Sequence, residues 1–239
     1  MYNTTIFEQD LLSFGIVLSD VQKKQFLKYF ELLVEWNSFM NLTGITEFEE
    51  VMKKHFVDSV SLVKAFPLDK PYTLLDIGTG AGFPGLPLKI LFPELKVTLL
   101  DSLNKRIKFL NHVIEELGLE DIEAIHGRAE DYAKPALLRE KYDLVVSRAV
   151  ANLSTLSEYC LPFVKNGGVF VSYKSEKVSS EYLDANKAIY LLGGKVQNQV
   201  EFYLPDTDIY RNLFVIKKQR STPKAYPRKA GLPAKEPLK

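Results

Sequence analysis

From Thr73 onward the chain alternates between two periodicities. Short β-rich runs at Thr73–Ile77, Val97–Asp101, Ile122–His126, Asp143–Ser147 and Val169–Lys174 are separated by helical stretches. The clearest of these is Asn104–Leu117, where Ile107, Leu110, Ile114 and Leu117 share one face and Gly118 stands as the stop. Such alternation leaves few options. It predicts a parallel sheet whose crossover helices cover both faces. The rhythm breaks near the end, where Lys195–Leu204 and Arg211–Lys217 are strand-like runs with no helix between them. They should pair antiparallel. The expected class is α/β, a Rossmann-like, mostly parallel sheet with a C-terminal antiparallel hairpin.

Three segments are expected. Residues 1–65 read as an N-terminal helical appendage, 66–219 as the main domain and 220–239 as a tail. In the first, Ser19-Asp-Val-Gln22 has capping-box form, and Phe26, Phe30, Leu33 and Val34 follow on one helix face. Thr46-Glu-Phe-Glu49 reads as a second capping box, followed by Val51, Phe56, Val60 and Val63 at rougher helical spacing. A polar break is expected over Trp36–Gly44, with Asn37 and Asn41 as caps. The tail carries six basic side chains and four prolines against Glu236 alone, while the rest of the chain holds 25 bases and 29 acids. A near-neutral body with a basic arm suits contact with a polyanion, with Lys224, Arg228 and Lys229 as candidate RNA contacts. Composition alone reads as a solvated, disordered tail.

Composition narrows the class further. No apolar run approaches the roughly 18 residues that span a bilayer. The N-terminus lacks the basic and apolar regions of a signal peptide, so a cytoplasmic protein is expected. A single cysteine, Cys160, excludes an intrachain disulfide. It sits in "LSEYCLPFV", read as a buried helix. The three histidines are far apart and match no metal-ligand spacing, so no metal is expected.

The stretch "LLDIGTGAGFPG" (Leu74–Gly85) closes the first β-run with a glycine loop. Gly80-x-Gly82-x-x-Gly85, with Asp101 about 20 residues on, matches a dinucleotide fingerprint, and an NAD-dependent oxidoreductase is one reading. No residue suited to hydride chemistry accompanies it. Charge favours another ligand. Asp76 would repel two phosphates but attract a sulfonium and an ammonium. The loop therefore suits a cationic, phosphate-free nucleoside, S-adenosylmethionine. Gly78 and Gly80 would let it approach the backbone. Asp101 can accept the ribose hydroxyls, and the polar loop with Ala129 and Glu130 suits the adenine. Arg148, after the fourth β-run, can grip the cofactor carboxylate, a phosphate, or guanine O6 and N7. Lys105 and Arg106 open the helix after the second β-run as further RNA-binding candidates. His55 and Asp58 read as a hydrogen-bonded structural pair that docks the N-terminal region over the crevice.

Together "LLDIGTGAGFPGLPL", "LLDSLNKRIKFLNHV", "SRAVANL" and "TPKAYPRKAGLPAK", with "WNSFMNLTGI" and "HFVDS" upstream, resemble the RsmG family, also called glucose-inhibited division protein B. The resemblance covers nearly the whole chain and shows no clear departure. It implies a class I S-adenosylmethionine-dependent methyltransferase fold with N-terminal helices. It further implies transfer to N7 of a guanine, called 527 in rRNA numbering, in the 16S rRNA of the small ribosomal subunit. Carried over by residue, cofactor contacts fall on Gly78, Phe83, Ala129 with Glu130, and Arg148; Asp76, Gly80 and Asp101 come from the residues themselves. The resemblance within "TPKAYPRKAGLPAK" implies that the tail is instead a partly ordered, extended arm beside an RNA-facing crevice. No membrane is involved and a monomer is expected. Guanine N7 has an exposed lone pair, so no catalytic general base is named. A reading from another class is a non-catalytic RNA-binding regulator that senses the cofactor.

Overall fold

A computed structural model describes residues 2–175 and 179–238. Helix α1 (Thr5–Ser13) leads into α2 (Asp20–Met40), whose start is the expected capping box: Ser19 accepts from the Gln22 amide at 3.2 Å, and Gln22 accepts from the Ser19 amide at 3.0 Å. The polar break is shorter than expected. Helix α2 runs through Trp36 and ends only at Asn41, which takes a left-handed φ of 52°. Asn37 caps from inside, its Oδ1 accepting the amides of Leu42 at 2.6 Å and Thr43 at 2.9 Å.

Helix α3 (Phe48–Val51) continues through a π-helical turn (Met52–Val57), α4 (Asp58–Val60) and a 3-10 turn (Ser61–Lys64). Thr46 does not cap it; Glu47 holds the N-cap position without a side-chain bond. The rough spacing of Val51, Phe56 and Val60 has its cause in the π turn. One extra residue in that turn keeps all three fully buried.

The sheet comprises β1 (Thr73–Ile77), β2 (Lys96–Asp101), β3 (Ile122–His126), β4 (Tyr142–Arg148), β5 (Val164–Lys174), β6 (Gly194–Tyr203) and β7 (Tyr210–Lys218), in the order β3-β2-β1-β4-β5-β7-β6. The first five strands are parallel, and β7 runs antiparallel to both β5 and β6. Helices α5 (Gly85–Leu91), α6 (Asn104–Glu116), α7 (Ala129–Tyr132), α8 (Leu153–Cys160) and α9 (Ser179–Leu191) fill the connections, and α10 (Leu232–Lys235) lies in the tail. The strand order reverses between β1 and β4, which opens a crevice at their C-terminal ends.

Alternation along the strands builds two cores. Leu74, Val146, Val171 and Val215 pack on one face with Phe26, Phe56, Leu86 and Phe109. Leu75, Val145, Phe170 and Phe214 pack on the other with Leu156, Cys160 and Ile189. The N-terminal helices thus share a core with the sheet, and packing is continuous across the 65/66 boundary. Cys160 is a core side chain whose burial pushes its thiol well above the ordinary range.

The tail departs most from expectation. It is a strap over the second face, not an extended arm. Arg228 pairs with the fully buried Glu158, its Nη2 at 2.7 Å from Oε2, so its guanidinium is engaged in packing rather than held free as a solvated cation. Arg139 donates to the carbonyls of Thr222 at 2.5 Å and Tyr226 at 2.7 Å. The physical reason is that buried partners elsewhere satisfy the tail's own backbone and its guanidinium. Lys224 and Lys229 remain exposed; Lys239 lies outside the described residues.

Candidate functional site

Three cavities follow one another along the C-terminal edge of the sheet. One of about 230 Å³ is lined by Gly78, Asp101, Ser102, Ala129, Glu130 and Val150. A second, about 380 Å³, meets it across Gly78, Asp101, Ser102 and Val150, and adds Gly80, Phe83 and Arg106. A third, about 500 Å³, shares His55, Arg148 and Ala149 with the second and extends to Asp58, Lys174 and Arg211. The sequence candidates for the cofactor therefore converge, with one exception.

That exception is Asp76. It lies fully buried beneath the glycine loop, where Oδ2 accepts from Thr79 Oγ1 at 2.7 Å and the Gly85 amide at 2.9 Å. It lines none of the three cavities. Its contact is with the loop, not directly with a cationic ligand as expected. Burial pushes its carboxyl up to about 6, against the pull of the Thr79 and Gly85 donors. Oδ1 has no hydrogen-bond partner among the described residues.

Asp101 is also partly occupied. Oδ2 accepts from the Gly80 amide at 3.0 Å and Arg106 Nη1 at 3.1 Å, and Oδ1 from the Leu103 amide at 2.9 Å. A carboxylate has about four acceptor positions. One remains for a ribose hydroxyl; receiving both, as expected, requires Arg106 to leave. Arg106 is thereby a partner of Asp101, and Lys105 donates to the Met40 carbonyl at 2.9 Å, tying α6 to the end of α2. Lys105 is nonetheless exposed and keeps two ammonium protons.

Arg148 sits at the tip of β4 as the hub of a network. Its Nη1 donates to Asp58 Oδ2 at 2.8 Å and to the Lys54 carbonyl at 3.2 Å, and Nη2 reaches His55 Nδ1 at 3.3 Å. Its guanidinium stands 5.1 Å from the centre of the Phe83 ring. Phe83 is itself stacked between His55 and Tyr29, at 4.5 and 5.6 Å, so it is packed as well as cavity-lining. His55 and Asp58 do not bond each other; they share Arg148. Asp58 also accepts from Arg211 Nε at 2.7 Å. Arg211 was not legible as a site residue because it opens a hairpin strand with no surrounding motif. Val150, which rests over Gly78, lies within "SRAVANL" and Tyr159 within "LSEYCLPFV", yet both were missed, because an apolar side chain and a helical tyrosine carry no charge or spacing signal for a site.

An arginine can only donate, so His55 Nδ1 accepts and its Nε2 carries the proton to Thr43 Oγ1 at 2.8 Å. This neutral tautomer matches a pKa held down to about 4, first by burial and then by Arg148. The folded value is below the ordinary 6.5, so this group's stabilisation is present above pH 6.5 and is lost as pH falls toward 4. Asp76 works in the opposite sense, its penalty fading as pH drops below 6. Comparing the wild type with His55→Gln by urea denaturation isolates the histidine. Its advantage over the variant should shrink by on the order of 2–3 kcal/mol between pH 7 and pH 4. A constant difference would mean that His55 is protonated in the fold.

The residues present fit S-adenosylmethionine. At Gly80, with φ of +64°, a Cβ would meet nothing within 4 Å, so the loop backbone faces open cavity. Asp101 and Glu130 offer acceptors on the nucleoside side, and Arg148 retains N–H donors on the amino-acid side.

Comparison with known proteins agrees. Residues 22–210 match the family model described as rRNA small subunit methyltransferase G. A ribosomal RNA small subunit methyltransferase G of Lachnoclostridium phytofermentans is 56% identical, covering 100% of this chain and 98% of that one. One from Brevibacillus brevis is 54% identical over 97% of this chain and 98% of its own. Among solved structures, a SAM-dependent methyltransferase of Aquifex aeolicus superposes with a TM-score of 0.52 at 20% identity, over 70% of this chain and 92% of that one. A Haloferax volcanii complex of a methyltransferase with its Trm112 activator gives 0.57 at 14% identity, over 79% and 98%. At these identities the two structures speak for the fold alone.

Proposed function

The chain belongs to the rRNA small subunit methyltransferase G family, and from that premise we infer that it methylates N7 of a guanine in 16S rRNA, using S-adenosylmethionine. The observation that carries this reading is the continuity of the crevice: two cavities suited to the cofactor open past Arg148 and His55 into a larger one lined by Lys54, Lys174 and Arg211. The cofactor supplies an electrophilic methyl group. Guanine N7 presents a lone pair, so the protein's task is alignment and exclusion of water rather than proton removal. The network accords with that. Asp58, the Lys54 carbonyl and His55 hold Arg148, and two of its five N–H groups remain for the cofactor carboxylate or the base. The nicotinamide reading of the glycine spacing falls with the family membership. Cytoplasmic action belongs to the same proposal and rests on the substrate; action as a monomer is proposed with it.

Incubation with labelled S-adenosylmethionine and unmethylated small subunits, followed by mapping, tests it. Label on guanine N7 is expected; cofactor binding without transfer would favour the regulator. Lys224 and Lys229 are exposed tail cations, as are Arg220 and Lys235. The double change Lys224→Gln with Lys229→Gln should flatten the slope of log affinity for rRNA against log salt by about 1.4, at roughly 0.7 per phosphate. An unchanged slope would remove these two lysines from the RNA surface.

A further inference from the structure

The C-terminal strap reaches the nucleoside end of the crevice. Gly231 lies on the wall of the 230 Å³ cavity, with Tyr159 of α8 alongside. The Gly231 amide donates to Glu130 Oε1 at 2.8 Å. Tyr159 brings a half-buried ring whose hydroxyl makes no hydrogen bond to the described residues. Three anchors set this turn in place. Arg228 grips the fully buried Glu158, the neighbour of Tyr159, through contacts of 2.7–3.1 Å. Thr155 Oγ1 donates to the Pro233 carbonyl at 3.1 Å, and Ser154 Oγ to that of Leu238. All three act on α8, the helix that presents Tyr159.

We propose that the turn at Lys229–Leu232, together with Tyr159, forms the outer wall of the adenosine subsite and positions Glu130. The tail is then part of the cofactor site. Holding one Glu130 oxygen on Gly231 fixes the carboxylate and leaves Oε2 for a donor on the ligand. This rests on the cofactor reading given above.

The test pairs two glycines of like strain. Gly231 has φ of +83° and Gly118, at the end of α6, has +60°; a Cβ at either meets nothing within 4 Å. Gly118 lines none of the three cavities. Gly231→Ala and Gly118→Ala should lower thermal stability to similar extents. Only Gly231→Ala should raise the Kd for S-adenosylhomocysteine, by about fivefold, because relief of its positive-φ strain shifts the turn and weakens the amide's hold on Glu130 on the scale of one hydrogen bond. Its rRNA affinity at fixed salt should hold. Tyr159→Leu leaves the strap's backbone alone and should weaken the same ligand by a similar factor. If the wild type binds S-adenosylhomocysteine and both Gly231→Ala and Tyr159→Leu bind within about twofold of it, the wall is overturned while the cofactor reading stands. A wild type that does not bind the ligand overturns both.

Discussion

Asp58→Ala is expected to destabilise the protein by about 3–5 kcal/mol, the largest effect of any single change near the crevice. Asp58 is 2% exposed and accepts from two arginines that come from distant strands. Arg148 ends β4 and Arg211 lies near the start of β7, and both are largely buried. Removing the carboxylate leaves two guanidinium groups without their counter-charge in a setting where water replaces it poorly. That is costlier than the net worth of the ion pairs themselves. The lost tie is also architectural, because it holds the π turn over the strand tips. Tyr173, whose hydroxyl donates to the Ser59 carbonyl at 2.7 Å, keeps the helix from leaving altogether. The melting temperature should fall by roughly 10 °C, at 2–4 °C per kcal/mol for a chain of this size. Asp58→Asn keeps one acceptor and should recover part of the loss. A melting temperature within about 2 °C of wild type for Asp58→Ala would show the two arginines to be solvated, contrary to the geometry.

The sequence made the sheet legible because its signals are local. β1 and β3 fall on the expected residues, and the Asn104 helix ends at Glu116, with Leu117 as its cap before a left-handed Gly118, because period, capping and glycine all act within one element. The glycine loop was legible for the same reason. What stayed hidden depends on partners far along the chain. Nothing in "KKHFVDS" tells that Asp58 serves Arg211, 153 positions away. Charge placed Asp76 at the loop but not on which side of it; only the Thr79 and Gly85 donors show that it braces the turn from below. The tail misled through composition. Its prolines and cations resemble a solvated arm, yet Arg228 has a buried carboxylate waiting in α8, and such a partner changes a basic segment from an RNA contact into packing.

Gly80→Val should abolish measurable cofactor binding, a loss of roughly a hundredfold or more, while the protein stays folded. Two costs combine. Gly80 holds φ of +64°, where a Cβ costs about 1–2 kcal/mol and a β-branched side chain more. The valine also projects where a Cβ would meet nothing within 4 Å, into the cavity it is meant to leave open. That emptiness is why the fold should survive: no protein atom has to move to make room. Gly82 provides the contrast. A Cβ there would stand 2.3 Å from Leu86 Cδ1 and 2.7 Å from the Tyr29 hydroxyl, so Gly82→Ala should damage the core beneath the loop. Calorimetry with S-adenosylhomocysteine and thermal unfolding on both variants separate the two roles. Gly80→Val should stay folded, melting roughly 5–10 °C below wild type from its φ strain, and fail to bind; Gly82→Ala should melt lower still. If Gly80→Val binds the ligand normally, the loop is only a strand-to-helix turn and the cofactor lies elsewhere on the sheet edge. If it unfolds, the amide that Gly80 donates to Asp101 at 3.0 Å is holding more of the structure than the open space around it suggests.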